Sequence, residues 1–154
     1  MEEKEVIDVV AEGMTFDEKE KAILDEFGAW MRVNQESIIG TRPWKVFGEG
    51  PIAESDIKIN AQGFNEDSYT KAGASEIRFT QKGKTLYAVP LAWPHDHQVI
   101  IKSLSTTSKL YPGKIRSVTL LGYGKVKCHR TAGGLAVDLP AKPCNTIAPV
   151  LKIK

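Results

Sequence analysis

The sequence is poor in cysteine and histidine and has no long hydrophobic run. Its 154 residues include two cysteines, which form no Cys-x-x-Cys pair, and three histidines. This pattern excludes paired-cysteine zinc or redox motifs and predicts two free thiols, although it leaves a disulfide between Cys128 and Cys144 open. No apolar run approaches the ~18 residues that cross a bilayer, so we predict no membrane span. The Glu-Glu-Lys-Glu run after Met1 lacks the basic and apolar regions of a signal peptide, and the compartment stays open.

Acidic residues are concentrated at the beginning of the chain. Hydrophobic residues make up 42% and charged residues 26%, as in an ordinary soluble globular domain. The net charge of +2 combines ten acids and three bases in residues 1–26 with nine acids and eighteen bases in residues 27–154. Because the bases of the second part are scattered through predicted strands and turns, we expect no nucleic-acid partner.

One amphipathic helix is predicted over residues 15–33. Thr15 and Glu18 have the spacing of a capping box, in which each side chain accepts a hydrogen bond from the backbone N–H of the other residue. Five apolar residues at helical spacing form one face: Phe16, Ile23, Phe27, Trp30 and Met31. The interpretation divides the chain into an N-terminal segment with helix and junction, residues 1–50, and a β domain, residues 51–154. The role of residues 1–14 stays open.

Short segments of alternating apolar and polar residues follow the helix. The predicted strands include Ile57 with Ile59 and cover residues 77–80, 85–93, 99–104, 115–121, 125–130, 135–139 and 147–153, with a polar loop over 63–73. Pro90 removes a donor from its strand and suggests a bulge or an edge position. Residues 131–134 form a predicted hairpin turn. The pattern predicts a mainly β fold, an antiparallel β-sandwich of about eight strands preceded by one amphipathic α-helix.

The stretch between the helix and the strands reads WMRVNQESIIGTRPWKVFGEGP, and EIRFTQKGKTLYAVPLAWP, VIIKSL, IRSVTLLG and GLAVDLPAKP follow it. In this order the segments resemble the last barrel helix and the C-terminal β-sandwich domain of α-L-fucosidases of glycoside hydrolase family 29. The resemblance runs from about Thr15 to Lys154. It implies a parent enzyme that removes terminal α-L-fucose from glycans with retention, a catalytic (β/α)8 barrel as partner, and a periplasmic or secreted location.

The resemblance also implies that this chain is a non-catalytic accessory or scaffold domain. In the family both catalytic carboxyl groups lie on the barrel, so no residue of this chain inherits either role, and we expect it to hydrolyse nothing by itself. Glu49, Glu54 and Asp56 cluster in the sequence, but they stand in a predicted turn without aromatic or histidine partners. We interpret them as solvated loop carboxylates and assign no catalytic residue.

A metal site is considered and not predicted. His95, Asp96 and His97 bring two imidazoles and a carboxylate together, but structural zinc takes four protein ligands and catalytic zinc three. The only further histidine, His129, stands on another predicted strand. A surface loop is therefore the preferred interpretation, and we predict no metal and no cofactor.

Three aromatic residues are candidates for contact with a glycan: Trp44, Trp93 and Tyr111. An aromatic face suits the apolar C–H face of a pyranose, which gives the alternative function, a carbohydrate-binding module for fucosylated glycans. Packing in the core or between domains is the competing interpretation, and we prefer it because aromatic rings contribute large buried areas.

The apolar face of the helix needs a partner wherever the barrel is absent, since so much aromatic surface is costly to leave in water. We expect that face to dock on the β-sandwich of the same chain. A homodimer formed through the same face is the weaker expectation.

Overall fold

The computed structural model describes residues 17–55 and 72–154. These residues fall into two compact units, the first ending at Arg32 and the second comprising Val33–Lys154. The predictions for residues 1–16, for Ile57 with Ile59, and for most of the polar loop over 63–73 lie outside the described residues. Within them, no helix is both long and apolar enough to cross a membrane.

Helix α1 spans Glu18–Asn34, so it begins three residues later than predicted. The capping box is formed by Asp17 and Glu20. The backbone N–H of Glu20 donates to Asp17 Oδ1 at 2.8 Å, and the N–H of Asp17 donates to Glu20 Oε2 at 2.9 Å. Both Thr15–Glu18 and Asp17–Glu20 have the required spacing, and the second pair supplies the cap that satisfies the first-turn donors.

Helix α1 presents apolar side chains to solvent. The exposed fractions of Ile23, Leu24 and Phe27 are 65%, 51% and 51%, whereas Trp30 is 8% exposed. The rings of Phe27 and Trp30 stack with their centroids 6.4 Å apart. Docking of this face on the β-sandwich stays a prediction, and so does the homodimer.

Nine described strands form two antiparallel sheets, which confirms the predicted fold class. In chain order the strands are β1 (Arg42–Glu49), β2 (Ile77–Lys82), β3 (Thr85–Pro90), β4 (Gln98–Ile101), β5 (Val118–Leu120), β6 (Gly124–Val126), β7 (Cys128–Thr131), β8 (Gly134–Asp138) and β9 (Leu151–Ile153). The larger sheet has the order β1-β2-β3-β9-β5-β6, and the smaller sheet has the order β4-β8-β7.

One hydrophobic core contains residues from both sheets. Alternation places one side of each strand in this core, as a half-buried strand requires. The larger sheet contributes Ile77, Phe79, Leu86, Ala88, Val118, Leu120, Leu151 and Ile153, and the smaller sheet contributes Val99, Ile101, Leu135 and Val137. The predicted alternation is confirmed for these residues, but several strands are shorter than predicted, and residues 102–104 of the strand predicted over 99–104 form a 3₁₀ helix.

Three further details of the sheets differ from the sequence interpretation. The predicted junction contains strand β1, which pairs with β2 in the larger sheet. The segment predicted as one strand over residues 125–130 is two strands in different sheets, because β6 pairs with β5 and β7 pairs with β8. Pro90 is the last residue of β3, where its missing N–H does not interrupt the ladder.

A 3₁₀ helix, Gln35–Ser37, follows helix α1 and is attached to the larger sheet. Glu36 Oε2 accepts hydrogen bonds from Tyr87 Oη at 2.9 Å and from Lys152 Nζ at 2.6 Å. Thr80 Oγ1 donates to the Ser37 carbonyl at 2.5 Å. These contacts join the chain after the helix to β2, β3 and β9.

The hydrogen bonds around Glu36, together with burial, determine the protonation states of its carboxyl group and of the Tyr87 phenol. The hydrogen bond from Lys152 lowers the pKa of Glu36 below its ordinary value, against the opposing effect of burial. Burial, together with the hydrogen bond to Glu36, raises the pKa of Tyr87 to about 12. At neutral pH the carboxylate is therefore charged and the phenol is neutral, so Tyr87 keeps the proton that it donates.

Candidate functional site

Residues 47–51 include a buried carboxylate that connects the two sheets. Glu49, the last residue of β1, is 6% exposed. Its two oxygens accept hydrogen bonds from the backbone N–H groups of Lys102 and Ser103, both at 2.7 Å. These residues begin a 3₁₀ helix, Lys102–Leu104, that continues directly from β4 in the smaller sheet. Glu49 thus caps that helix and ties the larger sheet to the smaller one.

The glycines on either side of Glu49 allow β1 to lie close to the chain that leads into β2. A Cβ on Gly48 would lie 2.5 Å from the Ile77 carbonyl oxygen, and one on Gly50 would lie 2.5 Å from the Ser75 carbonyl oxygen. Gly50 also has a φ of +123°, which side chains rarely tolerate. The Gly-Glu-Gly order therefore has a physical basis in the packing of β1 against the chain that leads into β2.

A second buried carboxylate holds the turn that follows Gly50. Glu76 is 2% exposed and accepts hydrogen bonds from the backbone N–H groups of Ile52 and Ala53. Its Oε2 also lies 3.1 Å from Arg78 Nη1, which forms an ion pair with it. All of these partners are local to the turn and to β2, so Glu76 acts as an anchor for the chain.

The interpretation of the loop carboxylates as solvated was wrong for Glu49. Its backbone partners lie more than fifty positions further along the chain, so the sequence around Glu49 gives no sign of them. Glu54 is exposed as expected and accepts one hydrogen bond from the Gly50 N–H at 3.3 Å. Asp56 lies outside the described residues. Glu76, which the sequence interpretation missed, carries no local signal beyond its place before a strand.

Trp44 lies in the core. It is 9% exposed, and its ring meets that of Phe79 edge to face at a centroid distance of 5.0 Å. The pairing of β1 with β2 shifts between Pro43 and Gly48, so Trp44 stands at the irregular part of β1. Its indole fills the core behind this bulge.

Tyr111 also packs against the core, and Arg130 lies over its ring at 5.7 Å. The Arg130 guanidinium donates to four backbone carbonyls, those of Leu104, Ser105, Tyr111 and Gly113, at 2.6–3.1 Å. This arginine fastens the loop between β4 and β5 to β7. Tyr111 is part of that fastening, because its ring supports the cation and its carbonyl accepts a hydrogen bond from it.

Trp93 has a different environment, because it lines an open cleft of about 700 Å³. The cleft is also lined by Ala72, Gly73, Ala74, Ser75, Ala92, Pro94, His95, Asp96 and Gln98. The indole packs against the core, and its Nε1–H donates to Asn145 Oδ1 at 3.4 Å. The same Asn145 oxygen accepts from the N–H groups of Ile147 and Ala148 at 3.0 and 2.9 Å. Trp93 is therefore held in a fixed orientation at the wall of the cleft.

Residues 95–97 form a tight turn beside the cleft. His97 has a φ of +56°, its N–H donates to the Pro94 carbonyl, and its own carbonyl accepts from Leu139 N–H at 2.7 Å. Among the residues that the structure describes, no group of three or more His, Cys, Asp or Glu side chains could hold a metal ion. Cys128 and Cys144 are free and exposed, and the partial burial of their thiols raises the pKa of both.

Comparison with known proteins places the sandwich in a family. Residues 69–154, more than half of the chain, match the family described as the alpha-L-fucosidase C-terminal domain. The chain belongs to this family.

The curated relatives are much longer than this chain. The alpha-L-fucosidase of Branchiostoma floridae is 26% identical over 129 residues, which cover 80% of this chain and 22% of that protein. The tissue alpha-L-fucosidase of Homo sapiens is 25% identical over 122 residues, which cover 78% of this chain and 20% of that protein. This chain therefore spans about a fifth of the length of these relatives.

Solved structures have the same fold. The alpha-fucosidase of Thermotoga maritima superposes with a TM-score of 0.61 at 21% sequence identity, over 91% of this chain and 28% of that one. Its complex with fucose gives a TM-score of 0.59 at 22% identity, over 91% of this chain and 27% of that one. At this level of identity the likeness establishes the fold alone.

Proposed function

We propose that this chain is the non-catalytic C-terminal accessory domain of an α-L-fucosidase-like glycoside hydrolase. The parent activity is the retaining hydrolysis of terminal α-L-fucose from glycans. The observation that carries this proposal is the family match over residues 69–154 in a chain that spans about a fifth of its relatives' length. We also propose a division into residues 1–50, which hold the helix and the junction, and residues 51–154, which form the sandwich. Strand β1 belongs to the junction and adds one strand to the larger sheet, because it pairs with β2.

The chemistry of the buried carboxylates supports a structural role. Retaining glycosidases use two carboxyl groups about 5 Å apart, one as nucleophile and one as acid and base. In Glu49 and Glu76, by contrast, both carboxylate oxygens accept hydrogen bonds from backbone N–H groups. Protonation or attack on a sugar would remove those hydrogen bonds, so these carboxylates are suited to holding the chain and unsuited to catalysis.

The proposed partner is the catalytic barrel of the parent enzyme. The helix α1 residues Ile23, Leu24 and Phe27 are at least half exposed, and this apolar stripe offers area that a packed partner would remove from water. In the proposed assembly the stripe lies against the barrel wall. The accessory domain would thereby keep that side of the barrel covered and stabilise it.

A carbohydrate-binding module is the second candidate function. The observation that favours it is that Trp93 lines an open cleft. The other two aromatic candidates are less accessible, because Trp44 is buried and Tyr111 is engaged with Arg130. Such a module would keep the enzyme near fucosylated glycans without taking part in the reaction.

The accessory role predicts that the purified chain releases no 4-nitrophenol from 4-nitrophenyl α-L-fucoside above the buffer blank. The reason is that the proposed catalytic carboxyl pair belongs to the barrel, while Glu49 and Glu76 of this chain are committed to backbone donors. The assay is run beside an intact α-L-fucosidase, which shows that the substrate and conditions are adequate. The proposal would be contradicted if hydrolysis of the substrate co-eluted with the chain through two different purification steps and disappeared when a residue of the chain was substituted.

A further inference from the structure

The cleft beside Trp93 is open and large enough to admit a small molecule. Its volume of about 700 Å³ lies within the usual range for ligand pockets, and its walls combine an indole with a few polar side chains. The polar side chains are those of Ser75, His95, Asp96 and Gln98. Small residues, Ala72 to Ala74 and Ala92, line the rest, so a ligand would meet little side-chain bulk there.

Trp93 is prepared for contact before any ligand arrives. The core supports the indole, and the hydrogen bond to Asn145 fixes its edge. Asn145 is itself held by the N–H groups of Ile147 and Ala148, so the acceptor does not move freely. A ring whose orientation is already set loses little conformational entropy when a ligand stacks on it.

His95 and Asp96 stand on a turn that leads into β4, whose first residue is Gln98, and the backbone of this turn is fixed at two points. The His97 N–H donates to the Pro94 carbonyl, and the His97 carbonyl accepts from the Leu139 N–H. Gln98 Nε2 donates to Asp138 Oδ1 at 2.9 Å, which orients its amide. Imidazole, carboxylate and amide groups are planar donors and acceptors, and the hydroxyl groups of a sugar supply matching partners.

We propose that the Trp93 cleft binds a pyranose ring of a neutral glycan, with the apolar C–H face of the sugar on the indole and its hydroxyl groups toward His95, Asp96 and Gln98. A hydrophobic patch for protein docking is a poorer fit, because the exposed polar side chains of the turn would have to be desolvated. The choice of fucose-terminated glycans as probes rests on the proposed function.

The test is a titration followed by the amide and indole N–H signals of the isotopically labelled chain. A fucose-terminated trisaccharide should produce saturable shifts of the Trp93 indole signal and of the amide signals of residues 72–75 and 95–98. Trp93→Ala should weaken binding about tenfold or more, as expected from the loss of one aromatic contact. Tyr123→Ala, at an aromatic residue that is 59% exposed and outside the cleft, should leave the affinity unchanged.

A second variant blocks the cleft without touching the core. A Cβ on Gly73 would have no heavy atom within 4 Å, so Gly73→Phe can place its ring in the open space of the cleft while the fold is kept. This variant should unfold at the same temperature as the parent chain and bind the trisaccharide at least about tenfold more weakly. Binding that is unaffected by Gly73→Phe would overturn the proposal.

Two further outcomes separate this proposal from the accessory role. The absence of saturable shifts up to tens of millimolar sugar would overturn the cleft proposal and leave the accessory role standing. Saturable binding of glucose oligosaccharides but not of fucose-terminated glycans would support the cleft and count against a function linked to fucose.

Discussion

Replacing Glu49 with alanine should lower the free energy of unfolding by about 3 kcal/mol. The substitution leaves the N–H groups of Lys102 and Ser103 without the acceptors that now lie 2.7 Å away, and it does so at the point where the two sheets are tied together. For a domain of this size the loss corresponds to a fall of roughly 6–12 °C in the thermal midpoint. Urea denaturation followed by circular dichroism measures the free energy directly.

Two matched variants isolate the cause of this loss. Glu54→Ala removes a carboxylate five positions away that is exposed and accepts one 3.3 Å hydrogen bond, so its effect should stay within about 0.5 kcal/mol. Glu49→Gln keeps one oxygen acceptor and turns an NH₂ toward the other donor, so it should fall between Glu54→Ala and Glu49→Ala. A Glu49→Ala chain as stable as Glu54→Ala would show that the buried carboxylate does not hold the sheets together.

Replacing Gly50 with alanine should also destabilise the chain strongly, by about 3 kcal/mol or more. Two effects combine, because the φ of +123° is unfavourable for any residue with a Cβ, and the new Cβ would lie 2.5 Å from the Ser75 carbonyl oxygen. The Ser75 oxygen belongs to the backbone just before Glu76, so it can retreat only by disturbing the Glu76 hydrogen bonds. Thermal and urea unfolding of the variant give the size of the effect.

Gly113→Ala is the control for the Gly50 variant. A Cβ at Gly113 would meet one atom, Tyr111 Cε1, at an ordinary distance of 3.8 Å. This change should alter the free energy of unfolding by less than about 1 kcal/mol. Equal effects at the two glycines would mean that the loss at Gly50 reflects the removal of glycine in general and that the crowding around Ser75 and Glu76 is not its cause.

The regular elements of the fold could be predicted because their signals are local. Alternation in the segment around Ile77 and Phe79 places both side chains on one face, and the core contains both. The beginning of the helix was harder, because Thr15–Glu18 and Asp17–Glu20 overlap and have the same spacing. Only the hydrogen bonds of the folded chain distinguish the two capping boxes.

The features around β1 could not be predicted because they depend on distant partners. The capping of Lys102 and Ser103 by Glu49 and the packing of Trp44 on Phe79 both join residues that are far apart in the sequence. A local pattern with glycines and a proline resembles an ordinary turn, so the sequence alone assigns Glu49 to solvent. The split of residues 125–130 between two sheets has the same origin, since strand pairing is decided by the neighbours β5 and β8.

Of the residues that line the candidate cleft, the sequence analysis names Trp93 alone as a possible glycan contact, and that role stays a prediction. The sequence identifies Trp44, Trp93 and Tyr111 as aromatic residues that could meet a sugar, but it does not show which of them reaches solvent. The structure buries Trp44, places Tyr111 beneath Arg130, and leaves Trp93 at a cleft. The difference arises from burial, which depends on the packing of the whole sandwich.

We propose that this chain acts as a partner of a catalytic barrel. The most direct test mixes the purified chain with the catalytic barrel of an α-L-fucosidase from the organism that makes the chain, expressed without a C-terminal domain. We expect that the two elute together in size-exclusion chromatography and that the thermal midpoint of the barrel rises when the chain is added. Separate elution together with an unchanged midpoint of the barrel would contradict the accessory role.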